Sequence, residues 1–139
     1  MSWPHVETNN YDRPRPLKYV TGAEISMSAV IYASTVALDD DTRRLVKSGT
    51  LLCKITSGLG INKYGPYDGT ASDGRQTITE GSLCIARSGV DVTLGDRPVA
   101  GLYAHCVLDK SELTTGGYNL HGAPLTTIKA ALPTCIFDD

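Results

Sequence analysis

The chain has 139 residues, 13 Lys and Arg against 15 Asp and Glu, and a formal net charge of −2. That length suits one domain with its own core, and the charge argues against a nucleic-acid binder, which carries a basic patch. No run nears the roughly 20 apolar residues that cross a bilayer, and Met1-Ser2-Trp3-Pro4-His5-Val6-Glu7 lacks the basic start and apolar stretch of a secretory signal.

Residues 1–28 read as an extended arm. Arg13-Pro14-Arg15-Pro16 alternates proline with charge, which forbids helix, and Leu17, Tyr19, Val20 and Ile25 follow without helical period. Such an arm is expected to be flexible when alone and apolar enough to dock onto a partner. A β-domain is expected over residues 29–139. Val30 to Leu38 is rich in β-branched residues and ends at Asp39-Asp40-Asp41. Thr50 to Ile55 alternates, which puts Leu51, Cys53 and Ile55 on one face and Leu52 and Lys54 on the other.

A glycine-rich loop is expected from Ser57 to about Arg75. Leu83 to Ala86 reads as a short buried strand, and Val90 to Leu94 as a strand with one wet face. Val99 to Leu108 is a further apolar strand entered through Arg97-Pro98. The one helix follows Pro124, with Leu125, Ile128, Lys129 and Leu132 at helical spacing before Pro133 stops it. Thr134 to Phe137 returns as a last strand. The fold class expected is therefore mainly β (α+β), a small compact domain with one late helix.

Cys53, Cys84, Cys106 and Cys135 are far apart and each lies in an apolar run, so they read as buried free thiols in a chain made in a reducing cytoplasm. They form no C-x-x-C pair and give no zinc-site spacing. No metal or cofactor is expected.

The most distinctive run is Gly49-Thr50-Leu51-Leu52-Cys53-Lys54-Ile55-Thr56, then Lys63-Tyr64-Gly65-Pro66-Tyr67-Asp68, then Ala71-Ser72-Asp73-Gly74, then Gly81-Ser82-Leu83. In this order the segments resemble the head decoration protein family of tailed phages typified by lambda, most clearly over residues 30–108. The resemblance implies a homotrimer on the outer surface of the virion, at three-fold and quasi-three-fold positions of an expanded head. Its partner would be the major capsid protein, with no contact to nucleic acid or membrane. It also implies that the N-terminal arm adds a strand to the capsid protein, a role that suits Leu17, Tyr19, Val20 and Ile25. Tyr64, Pro66, Tyr67 and Asp68 read as a rigid loop able to serve a trimer or capsid interface, since tyrosine adds contact area at low entropy cost. The segment from Thr114 to Gly122 is more elaborate than the family requires.

No catalytic function is expected. His105 and Cys106 are neighbours on an expected strand and so face opposite ways, which rules out a nucleophile–base pair. Ala86-Arg87-Ser88-Gly89 matches one motif of the trimeric dUTPases, but the rest of that motif set is missing. A carbohydrate-binding or accessory virion module is the other alternative, although the single tryptophan, Trp3, lies in the arm.

Overall fold

A closed five-stranded barrel forms the centre of the computed structural model, which describes residues 17–19, 22–109 and 125–138. In chain order the strands are β1 (Leu17–Tyr19), β2 (Ile25–Ile31), β3 (Leu45–Val46), β4 (Leu51–Lys54), β5 (Tyr64–Pro66), β6 (Leu83–Ala86), β7 (Val90–Asp91), β8 (Arg97–Ala104) and β9 (Val107–Asp109). Helix α1 (Leu125–Ala131) and strand β10 (Ile136–Asp138) follow. The barrel runs β2-β5-β4-β6-β8 and closes through the antiparallel β8–β2 ladder. A three-stranded sheet, β1-β9-β10, and a two-stranded one, β3-β7, complete the fold. The protein is mainly β with one late helix, as its sequence pattern indicates.

Period-two alternation divides the barrel strands between two cores. In β6, Leu83 and Ile85 join one apolar cluster while Cys84 and Ala86 join the other. In β4, Leu51 and Cys53 likewise part from Leu52. The first cluster includes Leu17, Leu108, Ile128 and Leu132 from β1, β9 and the helical segment, so it coats the outside of the barrel. The second, with Ala29, Ile31, Leu52, Tyr64 and Val99, fills the barrel, and Val36, Val46 and Val92 join it. Strands covered on both faces read as continuous apolar runs, which is why Leu51-Leu52-Cys53 and Leu83 to Ala86 are entirely buried.

Several expectations are corrected. The arm does not extend to residue 28. Leu17 is buried against the outer cluster and pairs with Leu108, and β2 begins at Ile25 and pairs with β8 along its whole length. These residues belong to the domain because β8 pairs with β2 along its length and β9 pairs with β1 through a short, irregular ladder. Val20 and residues 1–16 lie outside the described residues, as does the segment from Thr114 to Gly122.

The strand expected over Val30 to Leu38 stops at Ile31, and Ala33–Thr35 forms a 3₁₀ turn. Two bonds hold it: Thr35 Oγ1 donates to the nearby Tyr32 carbonyl (2.7 Å), and the Ala33 N–H donates to Oδ1 of Asp96, far along the chain (2.8 Å). Only Val90–Asp91 of the expected Val90 to Leu94 strand is paired. Asp91 Oδ1 accepts from the N–H of Thr93 and turns the chain there. The expected Val99 to Leu108 strand is split at His105, whose φ of 55° lies in the left-handed region.

Candidate interaction surface

The ladder of β2 with β8 gives the barrel two distinguishable ends. Ile31 pairs with Arg97 at one, and Ile25 with Ala104 at the other. Three connections meet at the first end. The turn at Asp96 is tied to the β2–β3 connection by its bond from Ala33, and to the β4–β5 loop by its ion pair with Lys63. The Lys63 ammonium also lies 5.5 Å from the centre of the Tyr32 ring, a cation–π geometry. Gly60 sits so close to that ring that a Cβ on it would come within 2.4 Å of Tyr32 Cδ2. Arg44 adds a further brace, since its guanidinium donates to the carbonyls of Ala33 and Val36.

These braced connections carry Leu38, Leu59, Ile61 and Leu94, all exposed, with Leu59 at 92% and Leu94 at 101% of full exposure. One exposed leucine on a surface needs no explanation, but several large apolar side chains at one end of a domain are the usual mark of a contact surface. Lys63 and Asp96 neutralise each other within the copy. The carboxylate of Asp96 is held below its ordinary pKa, chiefly by the Ala33 N–H and then by Lys63. Nothing in the sequence singles out this end: Leu59 stands in a glycine-containing loop with no period to read, and the alternation of Val90, Val92 and Leu94 puts Leu94 on an expected apolar face, whereas it is fully exposed.

The loop residues expected at an interface are used differently. Tyr64 and Pro66 are buried in β5, and Tyr64 belongs to the core inside the barrel, so neither can serve as an exposed contact. Burial also pushes the Tyr64 phenol above its ordinary pKa. Tyr67 is half-buried and packs against the outer core. Asp68 is half-buried and closes a turn: its Oδ1 accepts from the N–H (2.9 Å) and Oγ1 (2.7 Å) of Thr70, which lowers its pKa. Arg75 is tied to Asp73 through Nε (3.1 Å) and donates to the Pro66 carbonyl (3.4 Å). The loop folds onto its own domain through these contacts.

A cleft of about 180 Å³ lies between Thr35, Val46, Thr50, Tyr67, Asp68 and Arg75, below the roughly 300–1,000 Å³ of small-molecule sites. Among the described residues, no group of three or more His, Cys, Asp or Glu could hold a metal ion, and no helix is long and apolar enough to cross a membrane. Cys53 and Cys84 are pushed up to about 12 by burial, so they stay protonated. Ala86-Arg87-Ser88-Gly89 spans the end of β6 and the turn into β7.

No protein-family model, curated protein or solved structure matches the chain.

Proposed function

We propose that the chain is a structural virion subunit: a trimeric decoration protein that binds the outside of an expanded phage head and stabilises it against the pressure of packaged DNA. The observation that carries this reading is the apolar barrel end, with four exposed large side chains on connections braced by Asp96 and Arg44. A surface held rigid in advance loses little entropy on association, so its apolar area is available for binding. Its charges are largely met within the copy, Lys63 by Asp96 and Arg43 by Asp39 and Asp41, so the exposed apolar side chains among them suit contact with an identical face, as in homo-oligomers. Copies of the chain meet there in this reading.

Strand β1, which residues 1–16 precede, pairs with β9 and packs on the outside of the barrel. The reading assigns residues 1–16 to the capsid protein. Ordering such a segment costs on the order of 1–2 kcal/mol per residue, so one copy binds weakly and a linked trimer gains through effective concentration. The order of segments from Gly49 to Leu83 supports the assignment to a phage head. The test is cosedimentation of the full chain with expanded, undecorated heads, alongside sedimentation of the free protein. Substituting Leu59→Asp and Leu94→Asp together should reduce self-association and, with it, the copies retained per head. Unchanged self-association would remove the apolar end from the account.

A further inference from the structure

The four cysteines differ in what faces them. Cys53 and Cys84 lie on the paired strands β4 and β6, yet their side chains enter different cores on opposite faces of the sheet. Cys106 and Cys135 lie together. The parallel register of β9 and β10 sets Ile136 beside Val107, and the Ile136 N–H donates to the Cys106 carbonyl at 2.8 Å. One residue back, the same register places Cys135 beside Cys106. Both side chains turn into the outer apolar cluster, where the Cys106 thiol donates to the Ala104 carbonyl at 3.2 Å. Adjacent strands run roughly 4.8 Å apart, inside the approximately 4.4–6.8 Å between Cα atoms that disulfides span.

The two thiols are unequal. Cys106 is buried and Cys135 is half-exposed. The neighbouring Cys106 thiol holds the Cys135 thiol below its ordinary pKa, and the closeness of Cys135 together with burial raises that of Cys106. A half-exposed thiolate backed by a buried thiol is the arrangement in which one cysteine reacts first and the other resolves.

We propose that Cys106 and Cys135 are a redox-closable pair, forming an intramolecular disulfide that ties β10 to β9 when the protein meets a low-molecular-weight disulfide such as oxidised glutathione. The Cys135 thiolate attacks one sulfur of that disulfide, its S–S bond breaks, and one glutathione thiolate leaves and is protonated. Cys106 then gives up its proton and its sulfur attacks Cys135 Sγ, displacing the second glutathione as a thiol. The two cysteine thiols are oxidised by two electrons and one glutathione disulfide is reduced to two thiols. The closed bridge would fasten the last strand covalently and hold α1 between two anchored ends.

The test is to incubate the native, full-length reduced protein with oxidised glutathione at neutral pH, block remaining thiols under denaturing conditions, and map the cysteines by peptide mass spectrometry. The result expected is a Cys106–Cys135 cross-linked peptide with Cys53 and Cys84 still free. Cys106→Ser should trap a lasting glutathione adduct on Cys135, and Cys135→Ser should leave Cys106 unmodified. A wild-type protein that stops at the adduct on Cys135, or links any other pair, overturns the proposal. The oxidised protein should also melt higher than the reduced one, by roughly 5 °C or more.

Discussion

At Gly101 the barrel interior has no room for a Cβ: one built there would lie 2.5 Å from Cys84 Sγ. At Gly74 the obstacle is backbone. A Cβ would come within 2.8 Å of both the Lys54 carbonyl oxygen and the Thr56 nitrogen, and φ is +116°. A side-chain sulfur can yield a little, whereas paired backbone cannot. Gly101→Ala should therefore cost about 1–3 kcal/mol, the usual range for overpacking. Gly74→Ala should cost at least as much, because backbone strain of about 1–3 kcal/mol adds to the clash. Urea unfolding of the two variants measures both. The carboxylates of Asp39, Asp68, Asp91 and Asp96 are all held below their ordinary pKa by hydrogen bonds, mainly from backbone N–H groups and threonine hydroxyls. Each binds its proton less readily folded than unfolded. Their stabilisation is therefore complete above the unfolded value of about 4 and is lost as pH falls through the folded values. The melting temperature should be flat from neutral pH to about 5 and then decline, and Asp96→Asn should weaken that decline. An identical acid profile in the variant would show that Asp96 contributes nothing to it.

Among the elements, legibility tracked how much of a segment's environment lies within the segment. Leu83 to Ala86 is readable because a four-residue apolar run between Gly81 and Ser88-Gly89 is too short for a helix and fits a strand covered on both sides. The helix from Leu125 is readable because its spacing and its flanking prolines are local signals. Strand β5 is hidden, since Tyr64-Gly65-Pro66 contains two residues that ordinarily weaken strands. It is recruited by β4, where Leu52 pairs with Pro66 and Lys54 with Tyr64. The N-terminal boundary was misplaced for a similar reason: the partner of Leu17 is Leu108, far along the chain, and no local pattern announces that pairing. The exposed residues of the barrel end were unreadable because Leu59 and Ile61 lie in a loop without period and the alternation through Leu94 misleads, the chain turning at Thr93 before Leu94 can pair. Truncation tests the corrected boundary. Removing residues 1–16 should leave a folded domain with a nearly unchanged melting temperature. Removing residues 1–28 takes away β1 and most of the β2 ladder with β8, so the barrel should fail to close. Circular dichroism and thermal melts of the two truncations decide it. A cooperative melt from the shorter chain would return Ile25 and its neighbours to the arm.

For the whole molecule, the central claim is that the protein works by contact, with an apolar barrel end joining copies and the residues before Leu17 reaching the shell. The phage assignment rests on the ordered segments between Gly49 and Leu83, and the contact surface rests on Leu38, Leu59, Ile61 and Leu94. These are independent observations, and one experiment joins them. Purified protein should be cosedimented with expanded, undecorated phage heads and the bound copies counted against capsid subunits. Saturable binding close to one copy per hexameric capsid subunit, weakened by removal of residues 1–16 and by the Leu59→Asp and Leu94→Asp pair, is the result this account predicts. An absence of binding to expanded heads, from a protein that is folded and self-associated, would contradict it.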